Sequence, residues 1–94
     1  MAAKIEVEKV DGSHFRIRVI ETESESTHQV TLDPQDYARL AGAAGKPEEL
    51  IRKSFEFLLE RESKESILGR FDLSVISRYF PEYEREIKKR LWQP

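Results

Sequence analysis

His14 and His28 are the two imidazoles of the chain, and the carboxylates of Glu21, Glu23 and Glu25 lie between them. Together they are the residue types that hold a divalent cation. A metal centre needs three or four ligands converging on one point, whereas these acids fall in the hydroxyl-rich run from Glu21 to Ser26, where nothing in the spacing fixes their geometry. The expectation is one turn histidine and one strand histidine, both structural, with no metal. Nucleophilic catalysis has less to stand on: there is no cysteine, no Gly-x-Ser-x-Gly, no glycine-rich phosphate loop, and no spacing that couples a serine to either histidine. Neither an enzyme nor a cofactor site is expected.

Two segments carry residues suited to nucleic acid. Glu65 to Tyr79 resembles a helix-turn-helix, with a glycine at the turn (Gly69) and hydroxyls and an arginine on the second helix. In that motif the second helix enters the major groove, which would put Ser74, Ser77 and Arg78 at base edges, with Arg70 nearby. The fit is partial, because Gly69 at the turn leaves Arg70 where an apolar residue packs, and the first helix is barely one turn. The second segment, Lys88-Lys89-Arg90 with Trp92, offers cations for phosphates and an indole for stacking. Basic residues in the last turn of a helix also complement its dipole, so the same run has a structural explanation.

Phe57 falls off the apolar stripe of its helix, and Tyr83 and Trp92 add to the aromatic surface that one small core must bury. If they stay outside, they mark a contact surface, and small domains commonly cover such a surface by two-fold self-association. The reading that follows is a non-enzymatic protein-interaction module, self-associating or binding another protein. A small DNA- or RNA-binding regulator using residues 65–80 ranks second.

Composition favours that ranking. The chain has 16 Lys plus Arg against 18 Asp plus Glu, a formal charge of −2, where nucleic-acid binders usually show a clustered basic excess. At 94 residues it fits one domain, residues 1–94, because a second core would need roughly 50 more residues. The absence of cysteine suits a cytoplasmic setting, and no apolar run approaches the roughly 18 residues of a bilayer span or forms a signal sequence, so no membrane partner is expected.

The elements that must position these residues follow from periodicity. Ile5 and Val7 alternate with Glu6 and Glu8, and beyond Asp11-Gly12 the residues Phe15, Ile17 and Val19 alternate with Arg16 and Arg18. This is a hairpin with Glu and Arg facing each other in water. His28, Val30 and Leu32 predict a third strand after a loop over 21–26. Asp33-Pro34 then opens a short helix ending near Gly42. Pro47 to about Glu62 predicts the main helix, with Leu50, Ile51, Phe55, Leu58 and Leu59 as its stripe. One turn over 65–68, a helix capped by Asp72, and a last helix after Pro81 complete the chain. The predicted fold is α+β: a three-stranded antiparallel meander over 1–33, then a helical part over 34–94 packed on one face.

The run Ser-Phe-Glu-Phe-Leu-Leu-Glu-Arg-Glu from Ser54, continued by Glu65-Ser66-Ile67-Leu68 and by Phe71-Asp72-Leu73-Ser74-Val75-Ile76-Ser77-Arg78-Tyr79-Phe80-Pro81-Glu82-Tyr83, resembles the C-terminal signature of a family of small uncharacterised bacterial proteins. The resemblance covers about a third of the chain. It implies a bacterial or archaeal cytosolic protein and carries no site residues.

Overall fold

The structure, a computed structural model, describes residues 3–42 and 45–92. Alternation produces the expected meander: β1 (Lys4–Lys9), β2 (His14–Ile20) and β3 (Glu25–Thr31) pair antiparallel in that order. Phe15, Ile17 and Val19 turn inward and are buried, while Arg16 and Arg18 turn out to meet Glu8 at 2.7 Å and Glu6 at 3.0 Å. Such exposed cross-strand pairs contribute a few tenths of a kcal/mol each, enough to favour this register over a slipped one. β3 starts earlier than predicted. Glu25 and Ser26 lie inside it because Arg18 reaches across to both carboxylate oxygens of Glu25, so charged residues extend the ladder without apolar help.

The helix α1 (Pro34–Leu40) forms as its capping residues dictate. Asp33 accepts the Gln35 N–H at 2.7 Å, Pro34 occupies the first turn, and Gly42 closes the helix at φ 55°, a conformation that costs glycine little. Asp33→Ala is expected to lower stability by about 1 kcal/mol in urea titration, the usual loss of an N-cap oxygen.

The helix α2 (Pro47–Leu59) is the centre of the molecule. One side of it meets the sheet, where Phe55 packs against the rings of His28 and Phe71. The other side meets α4 (Tyr83–Trp92), where Phe57 packs edge-on against Tyr83, centroids 5.3 Å apart, and against Phe80 at 5.8 Å. Because α2 is covered on two sides, a residue off its main stripe is still core. Phe57 and Tyr83 are both 0% exposed, which corrects their assignment as contact residues for a partner. The helix also stops at Leu59, three residues before the predicted end, as the chain turns over Glu60–Glu62.

The largest departure lies beyond α2. After a single 3₁₀ turn over Lys64–Ser66, residues Arg70–Asp72 form a fourth strand, β4, parallel to β3, and only then comes a five-residue helix, α3 (Val75–Tyr79). The sheet is therefore four-stranded and mixed, in the order β1-β2-β3-β4, and the helical part contains a strand. Residues 65–80 are turn, strand and helix, not two successive helices, so the helix-turn-helix geometry is not formed. A three-residue strand is too short to show a period-two pattern, and a parallel pairing reached through two helices leaves no turn signal beside it. The helix α3 ends at Phe80, which is extended (φ −132°, ψ 90°) as the residue before Pro81 should be. Among the described residues no helix is long and apolar enough to cross a membrane.

Candidate functional site: an apolar groove beside the fourth strand

Among the described residues four large apolar side chains are exposed: Val10, Leu68, Tyr79 and Trp92. Two of them, Leu68 (49% exposed) and Tyr79 (67%), stand on a single groove of about 250 Å³. Leu58 from the end of α2, Ile67, Phe71 of β4, and Val75, Ile76 and Phe80 from the α3 region complete its apolar lining, with Glu62 and Ser66 as its polar members. The chain makes a U here: residues 66–71 form one wall and 75–80 the other. Because α3 is a five-residue helix carrying Val75, Ile76 and Tyr79, it holds more apolar surface than so short an element can turn inward. That excess is the signal in the sequence that could have located the groove.

The wall that runs into β4 is fixed by part-buried polar contacts. The His28 imidazole, 2% exposed, lies 2.8 Å from the Leu68 carbonyl through Nδ1 and 2.7 Å from Ser26 Oγ through Nε2. A carbonyl only accepts, so Nδ1 carries the proton, and in the neutral ring Nε2 then accepts the Ser26 hydroxyl. Sequence spacing did not couple a serine to a histidine, yet on a strand residues two apart share a face and the pair forms. A hydroxyl donating to an oriented imidazole is the beginning of a nucleophile and its base, but this ring is packed against Phe55 inside the core. Its contact with residue 68 makes it a positioning group for the groove wall.

Lys64, with 3% of its surface exposed, holds the base of the same wall. Its ammonium donates to Glu21 at 2.8 Å, Ser24 at 2.6 Å and Glu65 at 2.5 Å, tying the 3₁₀ turn to the β2–β3 turn. These carboxylates raise the ammonium above its ordinary value, so it stays charged where it is. The opposite end of β4 is held by Asp72, which accepts the Thr31 hydroxyl at 2.6 Å and both the hydroxyl and the N–H of Ser74. Burial pushes the Asp72 carboxyl up, but the bonds from Ser74 and Thr31 outweigh it and the net displacement is downward.

Several of the residues expected to contact nucleic acid are engaged within the fold. Ser74 is occupied by Asp72, Ser77 donates to the Ser74 carbonyl, and Arg70 belongs to β4 on the helix-free face of the sheet, opposite Gln29. Arg78 is exposed on α3. Of the three C-terminal cations Lys88 and Lys89 are exposed; Arg90 bonds Glu60 at 2.6 Å and sits 5.6 Å from the Phe57 ring centroid, with the Glu60 carboxyl held below its ordinary value by that guanidinium. Trp92 is 59% exposed and lies against the end of α1, where a Cβ on Gly42 would come within 3.2 Å of its indole. No group of three or more His, Asp or Glu side chains is placed to hold a metal among the described residues, and His14 instead meets Asp11 at 2.7 Å. Compared with known proteins, the chain matches no family model, no curated protein and no solved structure.

Proposed function

We propose that this protein is a non-enzymatic protein-interaction module whose groove, lined by Leu58, Ile67, Leu68, Phe71, Ile76 and Tyr79, receives apolar side chains of a protein partner. The observation that carries the reading is the placement of exposed Leu68 and Tyr79 on a concave floor built from core residues. Isolated exposed apolar residues are ordinary on protein surfaces, but a concave cluster of them is not. The volume supports a protein partner over a small molecule: about 250 Å³ lies below the roughly 300–1,000 Å³ of typical ligand pockets, and it suits one or two anchoring side chains. Aromatic anchors beside aliphatic walls are also what energetically central interface residues look like. The cysteine-free composition fits a cytoplasmic module.

Panning a random-peptide library against the protein, immobilised at low density so that neighbouring copies do not occlude the groove, tests this directly. The expected result is enrichment of peptides rich in large apolar residues that bind the Leu68→Ser, Tyr79→Ser double variant roughly tenfold or more weakly, since each anchor removed costs over 1 kcal/mol. Both side chains are exposed, so the variant should melt within a few degrees of wild type. Enriched peptides indifferent to the two substitutions, or no enrichment, would overturn the reading.

A further inference from the structure

β4 is the edge of the sheet, and its sequence is complementary to itself. Gln29 donates to the Gly69 carbonyl and Leu73 donates to the Thr31 carbonyl, with Val30 opposite Phe71. In a parallel ladder bonding alternates along each strand, so Phe71 directs its N–H and C=O to β3. Those of Arg70 and Asp72 point away from the sheet, and no turn or loop hydrogen bond reaches them among the described residues.

Arg70 and Asp72 also share the helix-free face of the sheet, while Phe71 between them faces the groove. Arg70 makes no ion pair among the described residues, whereas Arg16 and Arg18, on the same face of β2, do. Set two copies of this strand antiparallel about a two-fold axis through Phe71. Arg70 of each then stands opposite Asp72 of the other, and both residues exchange their outward N–H and C=O groups. The pairing closes on itself, so it yields a dimer and not a fibre. A pair of three-residue strands is small against the roughly 1,000 Å² of a stable interface, but each Phe71 would bring its own groove, with Leu68 and Tyr79, up to that of the other copy.

We infer that the partner of this surface is a second copy of the chain, joined through antiparallel β4 edges into a continuous eight-stranded sheet, with Arg70 and Asp72 as the reciprocal pair that sets register. The inference rests on the groove being an interaction surface and adds the partner and the pairing mode.

Sedimentation equilibrium on the full chain tests it with two charge reversals. Wild type should sediment at twice the 11.0 kDa chain mass. Arg70→Asp places two acids opposite each other, and Asp72→Arg places two cations, so each alone should weaken dimerisation by roughly tenfold or more. Mixed in equal amounts, the two variants pair acid with cation at both positions and should recover the dimer, a result that no merely structural role produces. Asp72→Arg also removes bonds to Thr31 and Ser74; if it does not fold, Arg70→Pro, which deletes one outward N–H, should be monomeric with wild-type circular dichroism. A monomeric wild type that still captures peptides through Leu68 and Tyr79 overturns the strand pairing and leaves the groove reading standing. A dimer insensitive to Arg70→Asp but lost in the Leu68→Ser, Tyr79→Ser variant overturns it as well.

Discussion

Phe57→Ala is expected to lower unfolding stability by about 3–5 kcal/mol, the range for truncating a fully buried aromatic. Domains of this size are stable by only about 5–15 kcal/mol, so roughly a fifth or more of the total would go. The ring does more than fill volume. It packs in tilted, edge-type contact with Tyr83 and Phe80, and the Arg61 guanidinium lies 3.7 Å above its centroid while that arginine also bonds Glu82. Removing the ring leaves a cavity between α2 and α4 and frees Arg61 from its stacking surface. Urea titration followed by circular dichroism measures the loss. A change under 1 kcal/mol would show that Phe57 does not stand between the two helices. Leu59→Ala, on a half-buried position of the same helix, should cost distinctly less and serves as the control.

The Ser54–Tyr83 pair should give the second large effect, one that depends on pH. Ser54 Oγ donates to the Leu50 carbonyl at 2.7 Å, which uses its single proton; the Tyr83 phenol, 2.6 Å away, must therefore be the donor to Ser54. Ser54→Ala strands that phenol inside the core and should cost about 1–3 kcal/mol, whereas Tyr83→Phe removes the hydroxyl and leaves Ser54 its own acceptor, at about 1 kcal/mol. Burial displaces the Tyr83 phenol well above its ordinary value, with the Ser54 bond opposing only in part. In the unfolded chain it ionises near pH 10. Above that pH the unfolded state releases a proton that the folded state keeps, so stability present below pH 10 is lost as pH rises toward the folded value. The loss approaches about 1.4 kcal/mol per pH unit. Other groups titrate in the same range, so the measurement is the difference between wild type and Tyr83→Phe from pH 8 to 11. That difference should be flat to about pH 10 and then shrink; a flat difference throughout would mean that Tyr83 is accessible to water.

The candidate site was far less legible than the fold. Leu68 carries no type or spacing that marks it, and Tyr79 is marked only by the apolar excess of its short helix; what makes them a surface is that residues 66–71 and 75–80 fold back over Leu58 without closing. Phe57 misleads in the opposite sense. Its position off the helical stripe reads as exposure only if α2 has one covered side, and it has two. The Ser26–His28 pair shows the same limit at the scale of a strand: spacing two places both on one face, but the 40-residue return that brings the Leu68 carbonyl to His28 decides which nitrogen carries the proton.

What the sequence determined by itself is local. The β1–β2 and β2–β3 pairings follow from alternation and facing charges, α1 from Asp33, Pro34 and Gly42, and the end of α3 from Pro81, because each depends on forces acting across a few residues or one short turn. Tertiary structure alone decided the parallel β4, the two-sided burial of α2, the anchoring of Lys64 by Glu21 and Ser24, and the open edge with its groove. Those depend on contacts between residues far apart in the chain, 43 positions for Lys64 and Glu21, whose formation is governed by how whole elements fill space and not by the pattern within any one of them.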